Sequence, residues 1–233
     1  AGIAPGFSGE RLLGMAQSVN REPSFELLEG WFSTQRMSRF RFHSDPEALY
    51  VWNTRLTKSF LEDIQHIEVL LRNHVDRTLS EHPTRGGYGP QWFLSEQIPF
   101  TQPAQRSISK ALARAGFANH QADTGKVVAE LSFDFWYFLF TATYTTTVWP
   151  KIARTLRGGI SRERFRKELK VVYDLRNRCA HHEPVINANS DIERKYLDRC
   201  QEAIFNIANA IDSSAANWIS GQSRVRNIRS HRP

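Results

Sequence analysis

The sequence predicts an all-α protein, an up-down helical bundle with helical additions at its N-terminal side. Apolar residues recur at spacings of three and four, recognisable start and stop residues bracket these runs, and no segment alternates polar and apolar residues as a strand does. With 233 residues, of which 40% are apolar and 24% charged, the chain can bury one core. We predict a flexible arm over residues 1–24, a helical domain over 25–220 and a disordered basic tail over 221–233.

The first two helices have clear start signals. Ser24 is a typical N-cap, and the apolar residues after it predict a helix to about Met37. Asp45-Pro46 supplies a capping side chain and a ring that fits the first turn, so a long helix is predicted from there to Ser80. The apolar residues that share one face of this helix are Leu49, Trp52, Leu56, Phe60, Ile64, Ile67, Leu71, Val75 and Leu79.

A loop and further helices follow in order. A Gly/Pro-rich loop over 82–103 leads to a helix that ends before Gly116, and residues 125–142 form the most apolar helix, which is predicted to lie at the centre of the bundle. Ser161 begins the next helix. Ser190-x-x-Glu193 is a capping box that opens the last long helix.

The twelve residues Tyr173–Pro184 concentrate two adjacent histidines, two arginines and a proline. The apolar spacing upstream predicts that Arg176 continues the buried stripe, and Pro184 predicts that the helix ends close to His181 and His182. The partial negative charge of a helix C-terminus attracts imidazolium, while guanidinium groups bind phosphate in a fixed fork. The segment therefore predicts a proton-transfer group beside a phosphate clamp, although the same residue types also make an ordinary helix stop.

The string Arg176-Asn177-x-x-x-His181 resembles the Arg-(4 to 6 residues)-His signature of the HEPN superfamily. The longer string that runs to Val185 is similar to the Abi (abortive infection) branch of that superfamily. The resemblance covers roughly residues 25–210 and includes the upstream blocks Ala48–Asn53, Ile67–Asn73 and Leu131–Trp136. It implies a HEPN-like bundle. One departure is Asp134, which stands where the family pattern has glycine.

The charge of the chain is unevenly distributed. The net charge is +7, and the tail contributes four arginines and no acid. Residues 151–170 hold eight basic and two acidic side chains and lead directly into the Arg176 helix. Such a run is most often a solvated face, but beside a phosphate clamp it predicts a track for RNA. The predicted RNA-binding residues are Arg154, Arg157, Arg162, Arg166 and Lys170.

A guanidinium on an apolar stripe needs a carboxylate nearby, because an unpaired buried charge costs several kcal/mol. Glu68 is the expected partner of Arg176, with Glu130 or Asp134 as second choices. Glu68 can instead pair with Arg72, one turn further along its own helix. The predicted supporting residues are Glu68, Arg72, Asn73 and Arg178.

These residues favour one type of reaction. The sequence has no clustered carboxylates for two-metal hydrolysis, whereas arginine and histidine can catalyse attack of a ribose 2′-hydroxyl on its own phosphate. We predict a metal-independent endoribonuclease that needs no cofactor, as the resemblance also implies. His181 is the expected acid or base, Arg176 the clamp and Asn177 a hydrogen-bonding group. His182 and Arg178 support them, or act instead if the helix register differs.

The predicted enzyme is an abortive-infection or toxin-type effector. One histidine per motif, where cleavage uses an acid and a base, predicts a homodimer with a composite site, as in similar family members. An antitoxin protein or small RNA is a possible partner. Two alternatives stay open: a non-catalytic RNA- or protein-binding module of a phage-defence or toxin–antitoxin system, and a regulatory fold with only a buried Arg–Glu pair.

Cysteine content and hydropathy bear on the compartment. Cys179 and Cys200 are expected to be free buried thiols, and no paired spacing supports a metal site. We expect no signal peptide at the start of the sequence. Residues 131–149 have the length of a membrane span, but their threonines and Asp134 favour a buried helix. We predict a cytoplasmic protein without membrane association.

Overall fold

The computed structural model describes residues 23–116 and 123–233, so the predicted arm lies outside the described residues apart from its last two. All regular structure in the described ranges is helical, which confirms the all-α class. The chain divides into two compact units between Tyr50 and Val51. The long helix that crosses this boundary has 35 residues, or about 52 Å, which exceeds the diameter of a small domain.

The described part of the first unit contains two short helices, α1 (Phe25–Phe32) and α2 (Thr34–Met37). The sequence predicts one helix here, capped by Ser24, and the cap is present because Ser24 Oγ accepts a hydrogen bond from the Leu27 N–H. The helix breaks at Ser33, whose φ is 76°. Ser33 Oγ then accepts a hydrogen bond from the Arg36 N–H and so caps α2.

The long helix α3 (Pro46–Ser80) starts and ends where the sequence predicts. Asp45 Oδ1 accepts a hydrogen bond from the Ala48 N–H at 2.9 Å, as expected for an N-cap. All nine residues of the predicted apolar face are buried. The 3.6-residue period of this stripe was therefore a sufficient guide to which side of the helix faces the core.

The middle of the chain contains α4 (Gln102–Arg114), close to its predicted bounds, followed by the short helices α5 (Thr124–Glu130), α6 (Phe133–Phe138) and α7 (Val148–Ala153). The single helix predicted over 125–142 is wrong, because Leu131 and Ser132 are extended, with ψ of 128° and 163°. The Trp136 indole N–H donates to the Leu131 carbonyl at 3.2 Å. This side chain satisfies a carbonyl that a continuous helix would have bonded to its own backbone.

The helix α8 (Arg162–Ala180) carries the predicted motif and packs mainly against α9 (Ser190–Ile211). Ser161 caps α8 as predicted. The N-cap of α9 is Asn189 rather than Ser190, and its side chain accepts from two backbone N–H groups of the first turn. Glu193 of the predicted capping box is buried and has other partners, described below.

The helix α10 (Ser213–Gln222) follows α9, and the tail over 221–233 that was predicted to be disordered instead contains the end of α10 and all of α11 (Val225–Ser230). Its arginines bind acidic side chains of α9: Arg229 pairs with Asp198 at 2.7 Å and Arg232 with Glu193 at 2.6 Å. The Trp52 indole also donates to the backbone carbonyl of Ile228 at 2.7 Å. The prediction fails because the charges that suggested a solvated tail are used to dock it. Across the described residues, no helix is both long and apolar enough to cross a membrane.

Candidate functional site

The motif helix α8 ends in a Schellman turn. The N–H groups of His181, His182 and Glu183 donate to the carbonyls of Asn177, Cys179 and Arg178 at 2.9, 3.1 and 2.8 Å. The last two bonds define the motif, and His182 occupies its left-handed position with a φ of 57°. The helix therefore ends where the sequence predicts, and both imidazole-bearing residues are exposed to solvent.

The loop after this helix end is fixed by buried polar groups. Asn53 of α3 is buried, and its Oδ1 accepts a hydrogen bond from the Val185 N–H at 3.0 Å. Glu193 Oε2 accepts from the Asn187 N–H at 2.9 Å. Sequence reasoning assigned no role to Asn53, although it belongs to one of the upstream blocks. Together these groups hold the backbone that follows the two histidines.

Arg176 lies at the edge of the buried face and not within it. The fully buried positions of this turn are Leu175 and Cys179, while Arg176 is half-buried. The buried stripe steps three residues from Val172 to Leu175 and then four to Cys179. The prediction instead stepped four residues from Val172, which led to Arg176. The Arg176 Nη1 donates to Asn177 Oδ1 at 3.3 Å, so the structure does bring these two predicted site residues together.

Glu68 and Arg72 of α3 approach the motif helix. Burial raises the pKa of Glu68, and the nearby positive charges of Arg176 and Arg72 oppose that rise. Among the ion pairs of the described residues, none within 4.0 Å joins Glu68 to Arg176. The expected partner therefore acts on Arg176 through space and not through a direct ion pair.

Tyr173 is a neighbour that sequence reasoning did not assign. Burial raises the pKa of Tyr173, hydrogen bonding with Asp134 raises it further, and hydrogen bonding with Asn177 lowers it. Asp134, the departure from the family pattern, thus lies beside the motif helix and adds a negative charge near Glu68. The spacing could have identified Tyr173, because residues 173, 177 and 181 lie four apart on one helix face.

Two predicted supporting residues have other surroundings. The Arg178 guanidinium lies 5.4 Å from the centre of the Tyr196 ring, and its Nε is 3.7 Å from Glu183 Oε2. Hydrogen bonding with Tyr196 raises the pKa of Arg178. Arg178 thus ties the helix end to α9. Asn73 is exposed and lines a cavity with Trp218 of α10, so it faces a different neighbour from the motif helix.

The five residues predicted to bind RNA do not form one free track. Arg154 bonds to Glu81 and to the Arg85 carbonyl, and Arg157 is exposed. Only Arg162, Arg166 and Lys170 form a row, four residues apart on α8. The spacing continues this row on the same helix face to Asn177 and His181.

Within the row, the two outer side chains are already paired. Arg162 donates to the Phe140 carbonyl at 3.1 Å and pairs with Glu163 at 2.6 Å. Lys170 pairs with Asp174 at 2.7 Å, and both side chains are more than half exposed. An exposed pair of this kind is weak, so Lys170 can exchange its carboxylate for a phosphate.

The thiols and carboxylates of the described residues were compared with the grouping that a metal ion needs. Among residues 23–116 and 123–233, no group of three or more His, Cys, Asp or Glu side chains is arranged to hold an ion. Both cysteines are free and buried, as predicted. Burial raises the pKa of Cys179 to about 12 and that of Cys200 to about 11, which keeps both thiols protonated and unreactive.

In the described residues, the fold and the site define an all-helical protein in which an Arg-Asn-(x)3-His helix end, with its histidine exposed, lies beside a glutamate-bearing helix. The chain belongs to the family of Abi-like proteins, whose family model matches residues 31–187, more than half of its length. No curated protein and no solved structure was found to match it.

Proposed function

We propose that this protein is a metal-independent endoribonuclease with a HEPN-like bundle, acting in abortive infection as a toxin-type effector. Membership of the Abi-like family suggests the abortive-infection role. The observation that carries the proposed activity is the end of α8, where His181 and His182 are exposed and Arg176 is hydrogen-bonded to Asn177. These are groups that can move protons and bind a phosphate.

The reaction assigned to this site is transesterification of RNA. A histidine removes the proton of a ribose 2′-hydroxyl, the oxygen attacks the adjacent phosphorus, and the bond to the 5′-oxygen breaks as that oxygen receives a proton. Arg176 balances the charge that grows on the phosphate, and Asn177 orients Arg176 and the substrate. The products are a 2′,3′-cyclic phosphate, which can open to a 3′-phosphate, and a 5′-hydroxyl.

A second histidine is needed, because one group must accept a proton while another donates one. In our proposal a homodimer supplies His181 from each chain in a composite site. His182 is the other source, since it adjoins His181 in the same chain. A protein antitoxin or a small RNA is proposed to keep the enzyme silent.

The test is to incubate the purified protein with labelled RNA and with DNA of the same sequence, in EDTA, and to identify the ends. We expect cleavage of the RNA alone, with cyclic or 3′-phosphate ends. His181→Ala should reduce the rate by about 10²- to 10⁴-fold, as for loss of a general acid or base, with little change in RNA affinity. His82→Ala is the control, because His82 is another exposed histidine.

Three results would contradict the proposal. Loss of cleavage in EDTA would indicate a metal-dependent nuclease. RNA binding by the wild-type protein without any cleavage would indicate a non-catalytic binding module. If Arg176→Ala lowers only the stability of the fold, the arginine is structural, as in a regulatory fold with a buried Arg–Glu pair.

A further inference from the structure

Phe138, the last residue of α6, is an exposed aromatic side chain beside the motif helix. It is 49% exposed. Its ring meets Tyr137 at 5.1 Å and 64°, and Tyr173 at 6.2 Å and 66°, so both contacts are edge-to-face. Because these neighbours hold only part of the ring, much of it remains open to solvent.

The rings beneath Phe138 are packed tightly enough to hold it in place. Tyr137 and Tyr173 stack with centroids 4.3 Å apart and an interplanar angle of 13°. Phe133, which shares α6 with Tyr137, also stacks on Tyr173, at 6.2 Å and 27°. Phe133 and Tyr137 are both buried. An aromatic ring on a fixed base loses little conformational freedom when a ligand stacks on it.

Tyr173 connects this aromatic cluster to the proposed catalytic residues. It hydrogen-bonds with Asn177, one turn further along α8, and His181 follows one turn later. The distance from Tyr173 to His181 along the helix axis is about 12 Å. Arg166 and Lys170 precede Tyr173 on the same face, so basic groups lie on one side of the ring cluster and the histidine on the other.

We propose that Phe138 is the surface on which an unpaired base of the RNA stacks, so that the substrate class of this site is single-stranded RNA. Flat aromatic rings beside basic groups bind unpaired bases through their π-faces and the backbone through charge, whereas the bases of a duplex are not available for such stacking. The proposal rests on the proposed function in one respect, that RNA is the ligand.

The test compares RNA affinity among variants that carry His181→Ala to prevent cleavage. The probes are a single-stranded oligoadenylate of about 12 nucleotides, the same strand with one 2-aminopurine, and a blunt RNA duplex. The variants are Phe138→Ala, Phe138→Leu, which keeps an apolar side chain without a ring, and Phe138→Trp, which restores one. Phe205→Ala is the matched control, because Phe205 is an exposed phenylalanine, at 37%, on α9.

We expect Phe138→Ala and Phe138→Leu to weaken binding of the single strand by about 5- to 100-fold, the range for loss of one base–aromatic stack. Phe138→Trp should restore the affinity, and Phe205→Ala should not change it. Binding to Phe138 should quench the 2-aminopurine fluorescence, and the Phe138→Leu variant should lose this quenching. Affinity for the duplex should be the same in all variants.

Equal single-strand affinity with and without the Phe138→Ala substitution would overturn the proposal. The proposal would also be overturned if Phe138→Ala changed the oligomeric state, measured by light scattering, and left the RNA affinity unchanged. This face would then be a contact between two chains. The two proposals can fail separately. If the wild-type protein cleaves RNA and Phe138→Ala does not change the cleavage, the stacking surface alone is refuted. If RNA affinity depends on Phe138 but no cleavage occurs, the enzyme alone is refuted.

Discussion

The left-handed backbone at His182 allows a direct test of how the end of the motif helix is built. His182 has a φ of 57°, while its neighbour His181 has a φ of −88°. Glycine adopts the left-handed conformation found at His182 more readily than any other residue does. It has no such advantage in the conformation found at His181. The perturbation is to replace each histidine by alanine and by glycine, and to compare Gly with Ala at each position.

The comparison isolates the backbone, because both variants lose whatever contacts the imidazole makes. An L-residue in the left-handed region costs about 1–2 kcal/mol, and glycine loses an extra 0.4–1 kcal/mol or so of backbone freedom on folding. At position 182 glycine should therefore be more stable than alanine by about 0.5–1 kcal/mol. At position 181 it should be less stable by about 0.4–1 kcal/mol. The sign of the difference should reverse between adjacent residues.

The free energy of unfolding can be measured from urea titrations followed by the fluorescence of the six tryptophans. Similar slopes for all four variants would show that the midpoints report stability alone. The reasoning is refuted if His182→Gly and His181→Gly differ from their alanine counterparts in the same direction, because the turn would then not favour glycine at its left-handed position.

A histidine at this position also bears on the proposed function. Glycine would make a more stable turn, so the imidazole of His182 is kept in a conformation that does not favour it. Residues held in this way are concentrated at functional sites. We therefore expect His182→Gly and His182→Ala both to lower RNA cleavage, with His182→Gly the more stable of the two.

Two further predictions concern charged groups outside the motif helix. Arg232→Ala should lower the free energy of unfolding by about 2–3 kcal/mol, because it leaves the buried Glu193 carboxylate without its cation. Arg194→Ala, which removes an exposed pair, should change it by less than about 0.5 kcal/mol in the same urea titrations; equal effects would contradict this. Burial raises the pKa of Asp63 to about 6, so this group favours folding at low pH, and its contribution of up to about 3 kcal/mol is lost as pH rises from about 4 to about 7. Asp63→Asn should flatten that dependence in unfolding curves at several pH values, and parallel curves for both proteins would exclude Asp63 as the cause.

The parts of the fold that the sequence predicted well depend on local signals. All nine residues of the α3 face were identified because a long amphipathic stripe repeats the same information over many turns. The end of α8 was identified because Pro184 restricts the backbone before it. These features need no knowledge of what the helix packs against.

The parts that were missed depend on distant partners. The break at Leu131 is accompanied by the hydrogen bond from the Trp136 indole, and nothing in the local composition shows that this indole turns back. The tail is helical because its arginines bind acids of α9, some 30 or more residues earlier in the chain. Composition shows how many charges a segment has but not which of them have partners.

The position of Arg176 on the motif helix was predicted only in part. A helix of 3.6 residues per turn leaves the step from Val172 to the next buried residue ambiguous between three and four. Choosing four placed Arg176 on the buried face, whereas the structure buries Leu175 and leaves Arg176 at the edge. This edge position exposes the guanidinium to a ligand while keeping it near Glu68, which fits a phosphate clamp better than full burial does.

Residues beyond the range that the family model matches hold the loop after the motif helix. The family model matches residues 31–187, yet Asn187 is held by Glu193, which in turn binds Arg232. Both Glu193 and Arg232 lie beyond the matched range. Arg232 also lies 5.6 Å from the Trp52 ring, so the last turn of the chain is tied to α3 as well. The loop that follows His181 and His182 is therefore held by residues outside the matched region.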